Sequence, residues 1–305
     1  MSRRKLPTIT IGVPAYNEEK NIRPLIVSLL NQEIVSFRLE KLLVVSDGST
    51  DNTVYQVKKI RNRKIELIAN PKRQGLPNLE NQIFRTVTSD ILIVIQADIN
   101  ITDRRLVNKL ASEIINGHHL VSCDIRELPG RSYLSRILAY GMCIKRSAYN
   151  SYHDGDNFFT CHGLARAYAR DFYSGIQIPS FPGEDFYTYL YCKFHGFRYR
   201  FVSDTAVYYR VPETLSEHLL QSARFFTARQ LLSEKFSGLD ISSFIRIPVL
   251  PLLLANVVYF FRQPISFISY WSVVAYTLLA TPKLSASLST SKWQIALSSK
   301  YLNQP

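Results

Sequence analysis

The sequence is poor in cysteine, with four in 305 residues (Cys123, Cys143, Cys161 and Cys192), far apart and without a C-x-x-C pair. That excludes a disulfide scaffold, a zinc knuckle and a redox dithiol, and leaves reduced, buried thiols as the expectation. Acidic residues are also scarce: 24 Asp and Glu stand against 37 Lys and Arg, a formal net charge of +13 at pH 7. Such an excess suits nucleic acid, an anionic membrane surface or an anionic small substrate, and composition does not choose among them. No G-x-G-x-x-G follows the first predicted strand and no G-x-x-x-x-G-K-[ST] occurs, which argues against a dinucleotide-binding oxidoreductase and a P-loop nucleotidase. H-E-x-x-H and G-x-S-x-G are missing as well. The opening MSRRKLPTITIGVP passes from basic residues straight into a β-rich run, so no signal peptide is expected and the bulk of the chain is expected in the cytosol.

What is present is a globular composition, 46% hydrophobic and 20% charged, in a chain long enough for a sizeable core. From Thr8 to about Asp98, short apolar runs alternate with amphipathic stretches. Residues 8–16, 41–49, 65–70 and 91–99 read as strands. NIRPLIVSLLNQ, DNTVYQVKKI and NLENQIFRTV read as helices, with Asp51 and Asn78 as N-caps. Four βα units of this kind predict an α/β, Rossmann-like, mostly parallel sheet with flanking helices, whose ligand site lies at the carboxyl ends of the strands. Those ends carry carboxylates: Glu18 and Glu19 after the first strand, Asp47 after the second and Asp98 after the fourth. Carboxylates gathered at one edge of a basic protein point to a divalent metal and the polar edges of a nucleotide.

The strings IGVPAYNEEKNI (11–22), VVSDGSTDNT (44–53) and QADI (96–99) resemble the family 2 glycosyltransferases of the GT-A fold. Three more extend the likeness over roughly residues 8–236. NPKRQGLPNLEN (70–81) is similar to the family's G-K-x-x-A-L-N segment, with Gly75 and Asn81 retained. PGEDF (182–186) is similar to the acidic pair that supplies the catalytic base, and QSARF (221–225) to Q-x-x-R-W.

The resemblance implies a metal-dependent, inverting, hexosyltransferase-type enzyme that uses a nucleotide-diphosphate sugar, UDP-linked by expectation, with Mg2+ or Mn2+. Asp47 would accept from the base edge, while Pro14, Ala15, Tyr16 and Glu18 would form the wall under the nucleotide. Gln96 and Ala97 would contact the donor and Asp98 would coordinate the metal. Gln96 stands where the family usually has Asp, which removes one negative charge and keeps an amide's hydrogen bonds. Asp185, with Glu184 beside it, would take the acceptor hydroxyl's proton. Gln221 and Arg224, three apart on one helix face, would clamp the diphosphate, and Phe225, in place of Trp, would offer a flat apolar surface. Within CHGLARAYARDF (161–172), Gly163 is expected on the acceptor side as a close-approach position, and Arg166 or Arg170 is available for an anionic acceptor. His162 beside Cys161 lacks partners at ligand spacing and is expected to be a packed or hydrogen-bonded histidine.

The composition changes after Gly238. Residues 247–261 and 263–281 are two nearly uncharged apolar stretches separated by Arg262, flanked by Arg246 and Lys283 and broken by prolines at 248, 251, 264 and 282. The first is too short for a simple span and the second borderline. Residues 1–238 are therefore expected to form the catalytic domain and 239–305 a membrane-associated, apolar helical hairpin, re-entrant or in-plane, with Trp271 at the interface. A helical hairpin buried on the catalytic domain is the other reading. The expected setting is the cytoplasmic face of a membrane, with a lipid-linked or glycan acceptor. RNRK (61–64), the best basic run, reads as a solvated turn, so no nucleic-acid partner is expected. Two other functions are weighed. A sugar nucleotidyltransferase needs a glycine-rich, basic phosphate loop after the first strand, and PAYNEEKN is not one. A catalytically degenerate nucleotide-sugar binder is motivated by Gln96.

Overall fold

A computed structural model describes residues 6–180, 182–236, 241, 244, 246–285 and 297–302. The sheet begins with β1 (Thr8–Ala15), β2 (Arg38–Ser46), β3 (Ile65–Ala69) and β4 (Ile91–Ile95), connected by α1 (Ile22–Leu30), α2 (Thr53–Lys58) and α3 (Leu76–Thr86). Every residue of ILIVI in β4 and all but the first of TITIGVPA in β1 are buried, as strands covered on both faces require. Next come α4 (Leu106–Ile115), β5 (Leu120–Glu127), α5 (Tyr133–Ser151), β6 (Ala165–Ala169), α6 (Arg170–Tyr173), α7 (Glu184–Phe194), β7 (Tyr199–Tyr209) and α8 (Leu215–Lys235).

The strand order is β3-β2-β1-β4-β6-β5-β7. β6 runs antiparallel to both its neighbours, and the other pairings are parallel. The chain moves outward from β1 to β3, then crosses back to lay β4 on the other side of β1, so the crevice between the carboxyl ends of β1 and β4 is a topological switch point. One apolar core fills each face of the sheet. Ile11, Val13, Ile26, Leu29 and Ile93 lie in one, and Leu43, Ile83, Leu92, Tyr168 and Phe172 in the other.

Two predicted caps are corrected. Asn78 lies inside α3, which starts earlier because Pro77, lacking an N–H, is tolerated in its first turn; the Asn78 amide donates instead to the Gln74 carbonyl at 2.8 Å. Asp51 precedes the N-cap residue Asn52, yet its Oδ1 still accepts from the first helical N–H, that of Thr53, at 2.9 Å. The RNRK run is exposed between α2 and β3, and all four cysteines are free, with Cys123, Cys161 and Cys192 buried.

The C-terminal apolar stretches form α9 (Val249–Arg262) and α10 (Pro264–Ser285), which break at Gln263. A third apolar cluster joins them to α5 through Ile137, Ile144, Ala148, Ala255 and Tyr270. Gly141 of α5 lies under the Tyr270 ring, which would overlap any Cβ placed there. Among the described residues, α10 is the one helix long and apolar enough to cross a membrane: Pro264–Thr281 has mean hydropathy 1.2 and is 11% buried. The expected boundary at 238/239 lies outside the described residues. A final short turn, Leu297–Lys300, returns to the carboxyl edge of β1, where the Lys300 ammonium donates to the Tyr16 carbonyl at 2.9 Å and pairs with Glu18.

Candidate functional site

At the switch point, the loop after β1 is pinned to the loop after β2. Asn17 has a left-handed backbone, φ 52°; its N–H donates to Ser49 Oγ at 3.1 Å and its Oδ1 accepts from the Thr50 N–H at 2.8 Å. The Glu18 N–H donates to Thr53 Oγ1 at 2.7 Å. Glu19, expected with Glu18 at the site, turns away and accepts from the Asn52 N–H and side chain at 3.2 and 3.0 Å. Its carboxylate therefore caps α2 rather than facing the crevice.

Asp47 is 2% exposed, and its two oxygens accept from the Gln74 and Gly75 N–H groups at 2.6 and 2.9 Å. It therefore fixes the loop before α3 and keeps lone pairs for a further donor. Gly48, φ 66°, allows that approach: a Cβ there would meet the Lys72 and Arg73 backbone at 2.7 Å. The same loop places the Arg73 guanidinium 4.3 Å over the Tyr16 ring. Asn81 exchanges two hydrogen bonds with the backbone of Ile178, at 2.7 and 2.9 Å, and so anchors the segment leading into Pro182–Glu184.

The acidic pair opens α7. Gly183, φ 101°, turns the chain into that helix, and a Cβ there would lie 2.7 Å from Ala228 of α8. Burial and the Glu184 carboxylate push Asp185 up to about 7, against the pull of Arg166. Gly163 faces this pair: a Cβ there would lie 3.1 Å from Glu184 Oε1 and 3.2 Å from Gln96 Nε2. Arg224 sits in the field of Glu184, Asp98 and Asp185, which together oppose the lowering of its pKa by burial. Glu18, 3% exposed, is pushed up to about 7 by burial, against the pull of Lys300 and with a further rise from Asp98.

One cavity of about 830 Å³ brings these groups together. Its wall includes Pro14, Ala15, Tyr16, Glu18, Asp47, Gln96, Ala97, Asp98, Gly163, Glu184, Asp185, Gln221, Arg224 and Phe225, the donor, metal and base residues that the resemblance implies together with Gly163 and Phe225 of the acceptor side. Two other expectations are corrected. Arg166 is fully buried and paired with Glu80 at 2.7 Å, and Arg170 is exposed on α6 away from the cavity, so neither is available to an acceptor there. His162 lines the cavity, and burial pushes its ring down to about 4. Sequence reasoning missed Arg73, Lys145, His218 and Lys300, which also line it. NPKRQG carries the signal for Arg73, a cation within the segment similar to the family's G-K-x-x-A-L-N. Nothing local marks Lys300, which reaches the site from the far end of the chain.

A family model described as glycosyl transferase family 2 matches residues 10–176, more than half of the chain. The chain belongs to glycosyl transferase family 2. An uncharacterized glycosyltransferase of Haemophilus influenzae is 29% identical to this family 2 chain over 118 residues, 38% of this chain and 45% of that protein. The Escherichia coli protein WfgD, a UDP-Glc:alpha-D-GlcNAc-diphosphoundecaprenol beta-1,3-glucosyltransferase, is 28% identical over 106 residues, 35% of this chain and 39% of its own. Each match thus spans less than half the length of these relatives.

Solved structures resemble it more broadly. Mannosyltransferase PcManGT of Pyrobaculum calidifontis, in complex with GDP-Man and Mn2+, aligns over 92% of this chain and 79% of its own, with TM-score 0.59 and 18% identity. Glucosyl-3-phosphoglycerate synthase of Mycobacterium tuberculosis, with Mn2+, UDP and phosphoglyceric acid, aligns over 75% and 78%, with TM-score 0.54 and 18% identity. At these identities the likeness establishes the fold, GT-A, and the family 2 match covers the sheet residues that build the site.

Proposed function

We propose that this family 2 chain is an inverting, hexosyltransferase-type enzyme that moves a sugar from a nucleotide-diphosphate sugar, UDP-linked in the reading we favour, to the hydroxyl of a lipid-linked or glycan acceptor. The observation that carries this reading is the juxtaposition, around one cavity at the switch point, of a carboxylate raised to about 7 (Asp185), the Arg224 guanidinium and Asp98. Asp185 takes the acceptor proton as the hydroxyl attacks the anomeric carbon, because a base that titrates near neutrality is half available at pH 7 and still basic enough to act. Arg224, with Gln221 beside it, meets the charge that grows on the leaving diphosphate. Pro14, Ala15, Tyr16, Glu18 and Asp47 receive the nucleoside. Phe225 and Gly163 face the acceptor side.

The donor set fits a divalent ion. The Asp98 charge reaches both Glu18 and Arg224, which places it within the cavity's polar end. One carboxylate completed by substrate phosphates is an arrangement that Mg2+ commonly takes. Asp98, with Gln96 beside it, would hold Mg2+ or Mn2+, which supplies charge neutralisation at the donor diphosphate. Among the described residues no three His, Cys, Asp or Glu side chains converge into a metal site, so binding is expected to be weak without the donor. Asp98→Ala should reduce donor affinity in the presence of Mn2+ by at least tenfold and have little effect without it, as read by calorimetry. Equal affinities of variant and wild type in Mn2+ would remove Asp98 from this role. The nucleotidyltransferase alternative lacks support, because the loop after β1 carries carboxylates where that chemistry wants glycines and cations.

The setting we favour is the cytoplasmic face of a membrane, with residues 239–305 as the attachment. Its support is an exposed apolar face on α9 and α10, where Phe261 is 78% and Ile265 77% exposed, beside the exposed Arg246 and Arg262. Burying one such side chain contributes roughly 1.5–3 kcal/mol. The double change Phe261→Glu and Ile265→Glu should therefore lower partitioning of the full chain onto anionic vesicles by at least tenfold in a sedimentation assay. Unchanged partitioning would refute the attachment.

A further inference from the structure

The cavity has two unlike ends. One holds the carboxylates and Arg224. The other is enclosed by three helix faces, from α5 (Leu138, Met142, Lys145, Tyr149), from α10 (Tyr270, Val274, Thr277, Leu278) and from the first turns of α8. Their spacings of three, four and seven residues put each set on one helical face. Leu278 lines the cavity yet is 67% exposed, so the rim at this end is apolar.

Lys145 is a cation on the α5 face of that apolar end. Its neighbour Arg146 is paired with Glu127 at 2.7 Å, whereas among the described residues no hydrogen bond or ion pair engages Lys145. The groups that feel its charge are Tyr149 and His218. The His218 ring is in contact with Thr277 Oγ1 at 3.1 Å, and burial together with Lys145 pushes it down to about 4. His218 is therefore neutral at pH 7. Half-buried and with no carboxylate partner among the described residues, the Lys145 ammonium is open to an entering anion.

The donor's phosphates do not account for it. His218 precedes Arg224 by six residues on α8, an offset of about 9 Å along the helix axis at 1.5 Å per residue. The part of α8 that feels the Lys145 charge is thus offset from Arg224, beside an apolar wall.

We propose that Lys145 forms a second anion subsite, which holds the phosphate of a phosphorylated lipid acceptor whose apolar chain leaves the cavity over the α10 face. This rests on the lipid-linked branch of the proposed function and deepens it. The phosphate is a handle and the attacking hydroxyl lies nearer Asp185, because the subsite is offset from the acidic pair and Arg224. Tyr149 offers a hydroxyl donor beside it.

The test is binding by the full chain in detergent at fixed concentration, read by calorimetry with three probes: farnesyl phosphate, farnesol and inorganic phosphate. Wild type should bind farnesyl phosphate at least tenfold more tightly than farnesol. Lys145→Gln should bring the two to equal affinity while leaving farnesol binding unchanged, which also shows that the variant is folded, and Lys145→Arg should restore the preference. A preference that survives in Lys145→Gln, or none in wild type, overturns the proposal. Inorganic phosphate competing as well as the phosphorylated lipid overturns the lipid assignment in favour of a free-anion site. The readout needs no sugar transfer, so an inactive chain can pass it and an active one can fail it.

Discussion

Asp185→Asn is expected to lower kcat by about 10²–10⁴, the usual contribution of a positioned general base, with donor affinity unchanged. Asparagine keeps the shape and hydrogen-bonding capacity of the side chain and cannot accept the acceptor's proton. The pH profile separates this role from a merely structural one. Burial and Glu184 push Asp185 up to about 7, and the base works as the carboxylate, so wild-type kcat should rise with pH through about 7 and the variant's residual rate should lose that limb. Stability moves the opposite way. A carboxyl raised in the folded state contributes stability that is fully present below its ordinary range and lost as pH rises through about 7. The variant, which cannot ionise, should therefore melt at the same or a higher temperature than wild type at pH 8. An Asp185→Asn enzyme with wild-type kcat would remove the residue from the mechanism, and one that melts far lower at pH 8 would make its role structural.

The second large effect is expected behind the site. Arg166 and Glu80 are both fully buried and 2.7 Å apart. Arg166 Nη1 also donates to Thr188 Oγ1 at 3.2 Å, and that hydroxyl donates to the Glu184 carbonyl at 2.5 Å. The pair therefore ties α3 and β6 to the first turn of α7. Removing one partner strands the other's charge in the core, which costs about 3–5 kcal/mol, whereas replacing both by apolar residues of similar volume is often neutral. Arg166→Met should lower the unfolding free energy by that amount in a denaturant titration, and Arg166→Met with Glu80→Met should recover most of it. A loss below about 1 kcal/mol in the single variant would mean that Glu80 is readily neutralised in place.

These two predictions differ in how far the sequence anticipates them. Asp185 is legible through the likeness of PGEDF to the family's acidic pair, and the left-handed Gly183 is the sort of turn that a Pro-Gly pair announces. Glu80 is not legible. It looks like one more polar residue of an amphipathic helix, and only its partner, 86 residues later, gives it a role. The reading of Arg166 as an acceptor contact failed for the same reason.

By itself the sequence determined the βα alternation of the first hundred residues, the carboxylates at the strand ends and an order of motifs, of which those before residue 176 lie within the family match. Those features are local: a period of two or four, or a residue type just past a strand. Tertiary structure decided what depends on chain crossings. It inserted β6 antiparallel between β4 and β5, turned Glu19 away to cap α2, and brought Lys300 onto Glu18 across 282 residues. It also set Lys145 on the wall of a largely apolar chamber, with no carboxylate among the described residues paired to it. Burial and charge pairing are sums over neighbours, and neighbours distant in the chain are fixed by sheet order and helix packing, which leave no period in the sequence.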